Sequence, residues 1–148
     1  MHMALFQDLP SGGAKRAVHE WARRLVSAYD ARMDIFSLSW SANDFCDTRP
    51  FVRRFLRFDF RPHPLFRSPL ERLNRAQRYR YLAGWDRIGW SIDAEIDSPG
   101  NDLAFANPCM FIYVPALLAY TSVPSVYYLY EPFEAGFRRD LQRTRERT

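Results

Sequence analysis

Ser11-Gly12-Gly13-Ala14 is followed at once by Lys15 and Arg16, and no other segment of the chain is better composed to hold an anion. Glycines let backbone N–H groups approach a negative group closely. A helix start adds unpaired donors and a positive dipole end, and two basic side chains add charge. The spacing is not Gly-x-Gly-x-x-Gly, so a nicotinamide-binding reading is weak, and it is not Gly-x-x-x-x-Gly-Lys-Ser/Thr, which excludes a P-loop. A Gly-Gly pair also serves as an ordinary turn; its place directly after an apolar run favours the functional reading.

The other candidates are thinner. His19 falls off the centre of a helical stripe and reads as exposed or structural, and His63 lies in a loop between two prolines. No His, Cys or carboxylate spacing suits a metal, so none is expected. Nucleophile-elbow and Cys-x-x-Cys patterns are absent, and Cys46 and Cys109 read as inert thiols. Glu131 ends a strand-like run; it either binds a hydroxyl or merely terminates the strand.

The elements that must position these residues follow from apolar periodicity. Met3 to Leu9 reads as a strand, and Pro10 to Gly13 as its turn. Ala14 to Tyr29 reads as a helix with Ser11 as N-cap, its stripe being Ala14, Ala17, Trp21, Leu25 and Ala28, flanked by Val18, Ala22 and Val26. Met33 to Leu38 is a second strand, completing a βαβ unit, and Phe55 to Phe60 a third. Ser68-Pro69 opens a helix of roughly 28 residues, with Ser68 as N-cap, Pro69 as first helical residue and one face from Leu70 and Leu73 through Gln77, Tyr81, Trp85, Ile88 and Ile92 to Ile96. Asp102 to Ala106 is a fourth strand, Met110 to Thr121 a helix kinked at Pro115, and Ser125 to Tyr130 a fifth strand. Gly136 to Arg147 reads as a terminal helix or a linker.

Alternating strands and helices predict an α/β fold: a Rossmann-like parallel β-sheet of about five or more strands with helices on both faces. In such sheets ligands bind at the carboxyl ends of the strands. That rule brings Pro10 to Lys15, Ser39 to Asn43, Asn107 to Met110 and Glu131-Pro132 to one rim.

Composition bounds the setting. The chain has 148 residues, 47% of them apolar, which is enough for one domain with a core. Two cysteines make no disulfide framework. The longest apolar stretch, Cys109 to Tyr120, is too short to cross a membrane, and Ala4 to Leu9 is too short for a signal peptide. A cytoplasmic setting is expected, with Met1-His2-Met3 read as an expression scar ahead of a native start near Met3.

Twenty of the 21 basic residues are arginine, and eleven of those lie between Arg49 and Trp90, a stretch that carries +8. Two readings stand: a solvated helix face, or a patch for an anionic partner such as a membrane surface, a phosphate-bearing ligand or nucleic acid. Single-stranded nucleic acid is disfavoured, because Phe58, Tyr79, Tyr81 and Trp85 fall largely on the apolar stripe and are expected to pack inward.

The motifs also resemble a known family. Ala4-Leu5-Phe6-Gln7-Asp8-Leu9-Pro10-Ser11-Gly12-Gly13-Ala14-Lys15-Arg16-Ala17 resembles the opening of family 4 glycosyltransferases of the two-domain GT-B class. Asp44-Phe45-Cys46-Asp47 with Arg49-Pro50-Phe51, Leu65-Phe66-Arg67-Ser68-Pro69, Pro115-Ala116-Leu117-Leu118, Pro124 to Tyr128 and Glu131-Pro132 look like the same subgroup. The resemblance spans about residues 3–134.

It implies an acceptor-side N-terminal domain over 3–134, with 135–148 leading toward a C-terminal lobe that holds a nucleotide-sugar donor. Gly12, Gly13 and Arg16 would meet the donor diphosphate, and Lys15, Asn107 and Glu131 would serve a glycan or lipid-linked acceptor. Asn107 stands where the family often has histidine, so no residue is assigned as catalytic. Transfer would be retaining and independent of metal or other cofactor, and the isolated half would be inactive. Contact with an anionic membrane and homodimers of the isolated half are further expectations. The alternative is a non-enzymatic α/β binding module that kept the scaffold and lost catalysis.

Overall fold

The computed structural model describes residues 1–39, 41, 43–61, 65–98, 100–109 and 114–129. Five strands, β1 (His2–Asp8), β2 (Arg32–Leu38), β3 (Arg54–Phe58), β4 (Leu103–Cys109) and β5 (Ser125–Tyr127), form one sheet in the order β3-β2-β1-β4-β5. Every pairing is parallel. Helix α1 (Gly13–Tyr29) connects β1 to β2, and α2 (Glu71–Asp97) lies between β3 and β4. The predicted Rossmann-like α/β fold is the one observed.

Alternation along the strands divides the core. Met3, Leu5, Met33 and Ile35 face one way and join Val18 and Ala22 of α1. Ala4, Phe6, Phe36, Leu38, Ala104 and Ala106 face the other way and join Trp85, Ile92 and Ile96 of α2. The two central strands are buried on both faces, as parallel sheets require.

Several boundaries differ from expectation. The buried line of α1 is Lys15, Val18 and Ala22, whereas Ala17 and Ala28 are exposed, so the stripe is rotated from the predicted one. Gly12, not Ser11, occupies its N-cap. α2 begins at Glu71 after an extended Leu70. The Ser68 hydroxyl accepts from the Leu70 N–H, and Asn74 holds the Ser68 backbone at both N–H and C=O, so Ser68 caps a turn before the helix. Leu70 and Leu73 are exposed; the packed face of α2 is its C-terminal half.

β4 runs on through Asn107 and Pro108 to Cys109. Pro115 precedes a single 3-10 turn over Ala116–Ala119 instead of kinking a longer helix. That turn packs on α2 at Gly89, where a Cβ would come within 2.8 Å of Ala116. Residues 110–113 of the predicted helix, Tyr130 of the predicted strand, Glu131 and the segment Gly136 to Arg147 lie outside the described residues.

The amino edge of the sheet carries a charge cluster. Asp34 is fully buried in β2 and accepts from Arg53 Nε at 2.9 Å, Arg53 Nη2 at 2.6 Å and Arg54 Nε at 2.8 Å. His2 lies within β1, and its ring nitrogen is 3.3 Å from the same carboxylate. Burial alone would push the Asp34 carboxyl up, but these hydrogen bonds more than offset it and hold it at about 2. Part of the basic stretch is thus structural.

Candidate functional site

The sheet order reverses direction between β1 and β4, and at the carboxyl edge of such a switch point α/β sheets form their ligand crevice. β1 ends in Gln7 and Asp8, both fully buried, and Asp8 pairs with Cys109 of β4. The Cys109 thiol donates to Asp8 Oδ2. The chain then leaves the sheet as Pro10 to Gly13, all exposed, and enters α1.

Among the described residues no side chain caps α1, so the N–H groups of Gly13, Ala14 and Lys15 are left without a helical partner, and only from Arg16 does the helix ladder begin, with its N–H donating to the Gly12 carbonyl at 3.1 Å. A Cβ on Gly12 or Gly13 would meet nothing within 4 Å. The space over the turn is open, and the Arg16 side chain is exposed beside it. Uncapped donors, a helix dipole and a guanidinium in open space can together receive an anion.

The loop after β2 frames this rim. The Ser41 hydroxyl donates to the Leu9 carbonyl at 3.1 Å, and the Ser37 hydroxyl donates to Asn43 Oδ1 at 2.7 Å. Asn43 in turn donates to the Leu38 carbonyl. Arg49 bridges Asp44 and Asp47 farther along, which offsets one of the two carboxylate charges on that part of the loop.

Lys15 does not stand where an acceptor could touch it. It is 1% exposed, on the buried line of α1, and its Nζ has no hydrogen-bond partner among the described residues. Burial lowers its pKa from 10.5 to about 8, and the nearby Cys46, Asp8 and Asp47 charges only partly offset that. Asn107 also differs from its expected place: it is inside β4, fully buried, and its amide donates to the Phe6 carbonyl at 3.2 Å. It remains on the crevice side of the β1–β4 pair, within the same short stretch as Asp8 and Cys109.

The structure therefore brings Gly12, Gly13, Lys15, Arg16 and Asn107 to one edge of the sheet, with Lys15 and Asn107 beneath the surface. Sequence reasoning missed Gln7 and Asp8, polar residues at the end of an apolar strand. Both amide atoms of Gln7 are buried without a hydrogen-bond partner among the described residues. A polar pair closing an apolar run at a strand's carboxyl end is the signal that could have found them. Among the described residues no three or more His, Cys, Asp or Glu side chains gather as metal ligands, and no helix is long and apolar enough to cross a membrane.

No protein-family model matches the chain, and no curated protein matches it. Solved structures do. The crystal structure of Arabidopsis thaliana UGT89C1 complexed with UDP aligns with a TM-score of 0.53 at 13% identity, over 85% of this chain and 33% of that one. The two share a fold. The crystal structure of a UGT transferase from Siraitia grosvenorii in complex with UDP aligns at 0.41 and 16% identity, over 87% of this chain and 28% of that one. The chain thus spans about a third of the length of these structures.

Proposed function

We propose that this chain is the acceptor-side half of a nucleotide-sugar-dependent glycosyltransferase of the GT-B class, resembling family 4. One observation carries the reading: an uncapped, exposed glycine start of α1 stands at the β1–β4 switch point, on a fold shared with a structure that holds UDP. In this reading the N–H groups of Gly13 and Ala14 and the Arg16 guanidinium meet the donor diphosphate. Lys15 contributes charge from below, its ammonium being buried with no hydrogen-bond partner among the described residues. These charges and dipoles offset the departing diphosphate, so the reading needs no metal. A second lobe would hold the nucleotide, and transfer would proceed with retention. The acceptor, a glycan or a lipid-linked sugar, would lie along the rim toward Asn107. Half a cleft positions neither reactant fully, so the isolated half turns over negligibly.

The test uses the full-length protein, with UDP and UDP-glucose as probes for binding and turnover. Gly13→Val fills the open space over the turn, and Arg16→Ala removes the guanidinium. Each should weaken binding ten- to a hundredfold, as loss of a charge-assisted contact does, while melting stays close to wild type because neither position packs against the core. Unchanged affinity and turnover in both variants refutes the diphosphate role of the turn. UDP binding without turnover on any acceptor favours the non-enzymatic module, the reading that the buried amide of Asn107 supports.

A further inference from the structure

The first turns of α2, up to Arg80, carry no buried side chain. The helix's buried side chains begin at Trp85 and continue through Ile92 to Ile96. Trp85 packs in the cluster of Phe6 and Leu38, which lie near the carboxyl ends of their strands. Tyr81 still packs on that cluster and Gly84 faces Phe60, so the turns from Glu71 to Arg80 extend past the carboxyl edge, by about 15 Å at the rise of an α-helix. That is the edge on which the crevice opens.

The projection and the helix turns that follow it are basic. Residues 65–90 hold Arg67, Arg72, Arg75, Arg78, Arg80 and Arg87 against Glu71 and Asp86. Among the described residues only Arg75 of these six is ion-paired, 3.4 Å from Glu71. Large apolar side chains are interleaved with the arginines and left in water: Tyr79 is 68% exposed, Trp90 67% and Phe66 64%, with Leu65, Leu70 and Leu82 also exposed. Tyr79, expected to pack inward, points out. An open groove of about 470 Å³ between the 65–67 segment and α2 is flanked by Arg67 and Arg78.

We propose that this projection, together with the exposed outer face of α2 as far as Trp90, docks on the surface of an anionic lipid bilayer. Arg67 and Arg78 hold headgroup phosphates at the groove, and Arg72, Arg80 and Arg87 extend the contact. Tyr79 and Trp90 sit at headgroup level, and Leu65, Phe66 and Leu70 reach the acyl boundary. A second copy of the chain would set positive charge against positive charge. A nucleic acid would use the arginines, Tyr79 and Trp90 but gain nothing from the exposed leucines. A bilayer uses all of them. The docked surface adjoins the crevice, so an acceptor carried on a lipid would arrive at its mouth; that last clause rests on the proposed transferase reading, whereas the docking does not.

The experiment is co-sedimentation of the full chain with vesicles of phosphatidylcholine alone and of phosphatidylcholine with 30 mol% phosphatidylglycerol, at about 0.1 M salt so that surface charge is only partly screened. Binding is expected to the anionic vesicles only. The double change Arg67→Gln/Arg78→Gln should weaken it roughly 30-fold. Phe66→Ser/Leu70→Ser should weaken it at least about tenfold, with both variants melting as wild type does. Equal binding to both vesicles, binding to neither, or anionic binding that both variants leave intact overturns the proposal. So does poly-uridylate binding tighter than the vesicles. Loss of vesicle binding with UDP affinity intact removes the docking and leaves the transferase; vesicle binding without UDP binding does the reverse.

Discussion

Replacing Lys15 by methionine should make the protein more stable and its site weaker. The ammonium is 1% exposed and has no hydrogen-bond partner among the described residues, and burial lowers its pKa from 10.5 to about 8. A lysine whose folded pKa lies below its unfolded one penalises folding at every pH below the folded value. The unfolded chain binds the extra proton between about pH 8 and 10.5, so stability rises with pH across that window. At pH 7 the full penalty is about 3 kcal/mol at 1.36 kcal/mol per pKa unit. Methionine fills a similar volume without charge, so Lys15→Met should gain about 2–3 kcal/mol at pH 7, and a Tm higher by about 4–12 °C. The gain should fall to less than half by about pH 9.5, where wild-type native protein is largely neutral at this position. Urea melts at pH 7 and 9.5 measure both values. A variant less stable than wild type at pH 7, or a gain independent of pH, refutes the reasoning, because it would mean that the ammonium is satisfied in the native state. UDP affinity of the full-length protein should fall in the same variant, separating what the residue does for folding from what it does for an anion.

The remaining expectations concern the scaffold. Asp34→Asn should cost about 2 kcal/mol at pH 7, because a carboxyl held at about 2 contributes stability above its unfolded pKa and loses it as pH falls from about 4 toward 2; equal stability of wild type and variant at pH 7 would contradict this. Gly89→Ala should destabilise by about 1–3 kcal/mol in a thermal melt, since its Cβ would approach the Ala116 and Leu117 backbone to 2.9 Å and helix α2 or the 3-10 turn must shift. A neutral Gly89→Ala would mean that the turn is not seated on α2.

The central strands and both long helices were legible because their apolar runs are long and bounded by glycine and proline. Met3 to Leu9 and Met33 to Leu38 fall within a residue or two of β1 and β2. The errors have local causes. Alanine is too small to tell a buried helix face from an exposed one, so Ala17 and Ala28 drew the α1 stripe away from Val18 and Ala22 and hid Lys15 on the true line. The fourth strand was expected to end at Ala106, yet β4 runs on to Cys109; the β1–β4 register shifts between Phe6 and Asp8, and that irregularity accommodates Pro108. Asn107 was thereby carried from a loop into a strand. Ser68-Pro69 has the composition of a helix start, but Asn74 and Gln77 reach back from α2 to bond the 66–68 backbone, and the helix opens later. Within the site, the exposed Gly12–Gly13 start and Arg16 were readable from a turn pattern. Burial of Lys15 and Asn107 depends on neighbours distant in sequence, which periodicity does not report.

The ionic clamp around Asp34 ties together chain positions as far apart as His2, Asp34 and Arg54, all at the amino ends of the strands. Anchorage and ligand-facing segments are thus segregated to opposite poles of one sheet. Loops at the ligand pole can be lengthened, shortened or recomposed without loosening that anchor. A lineage carrying this scaffold can vary that pole while the anchor at the other pole is kept.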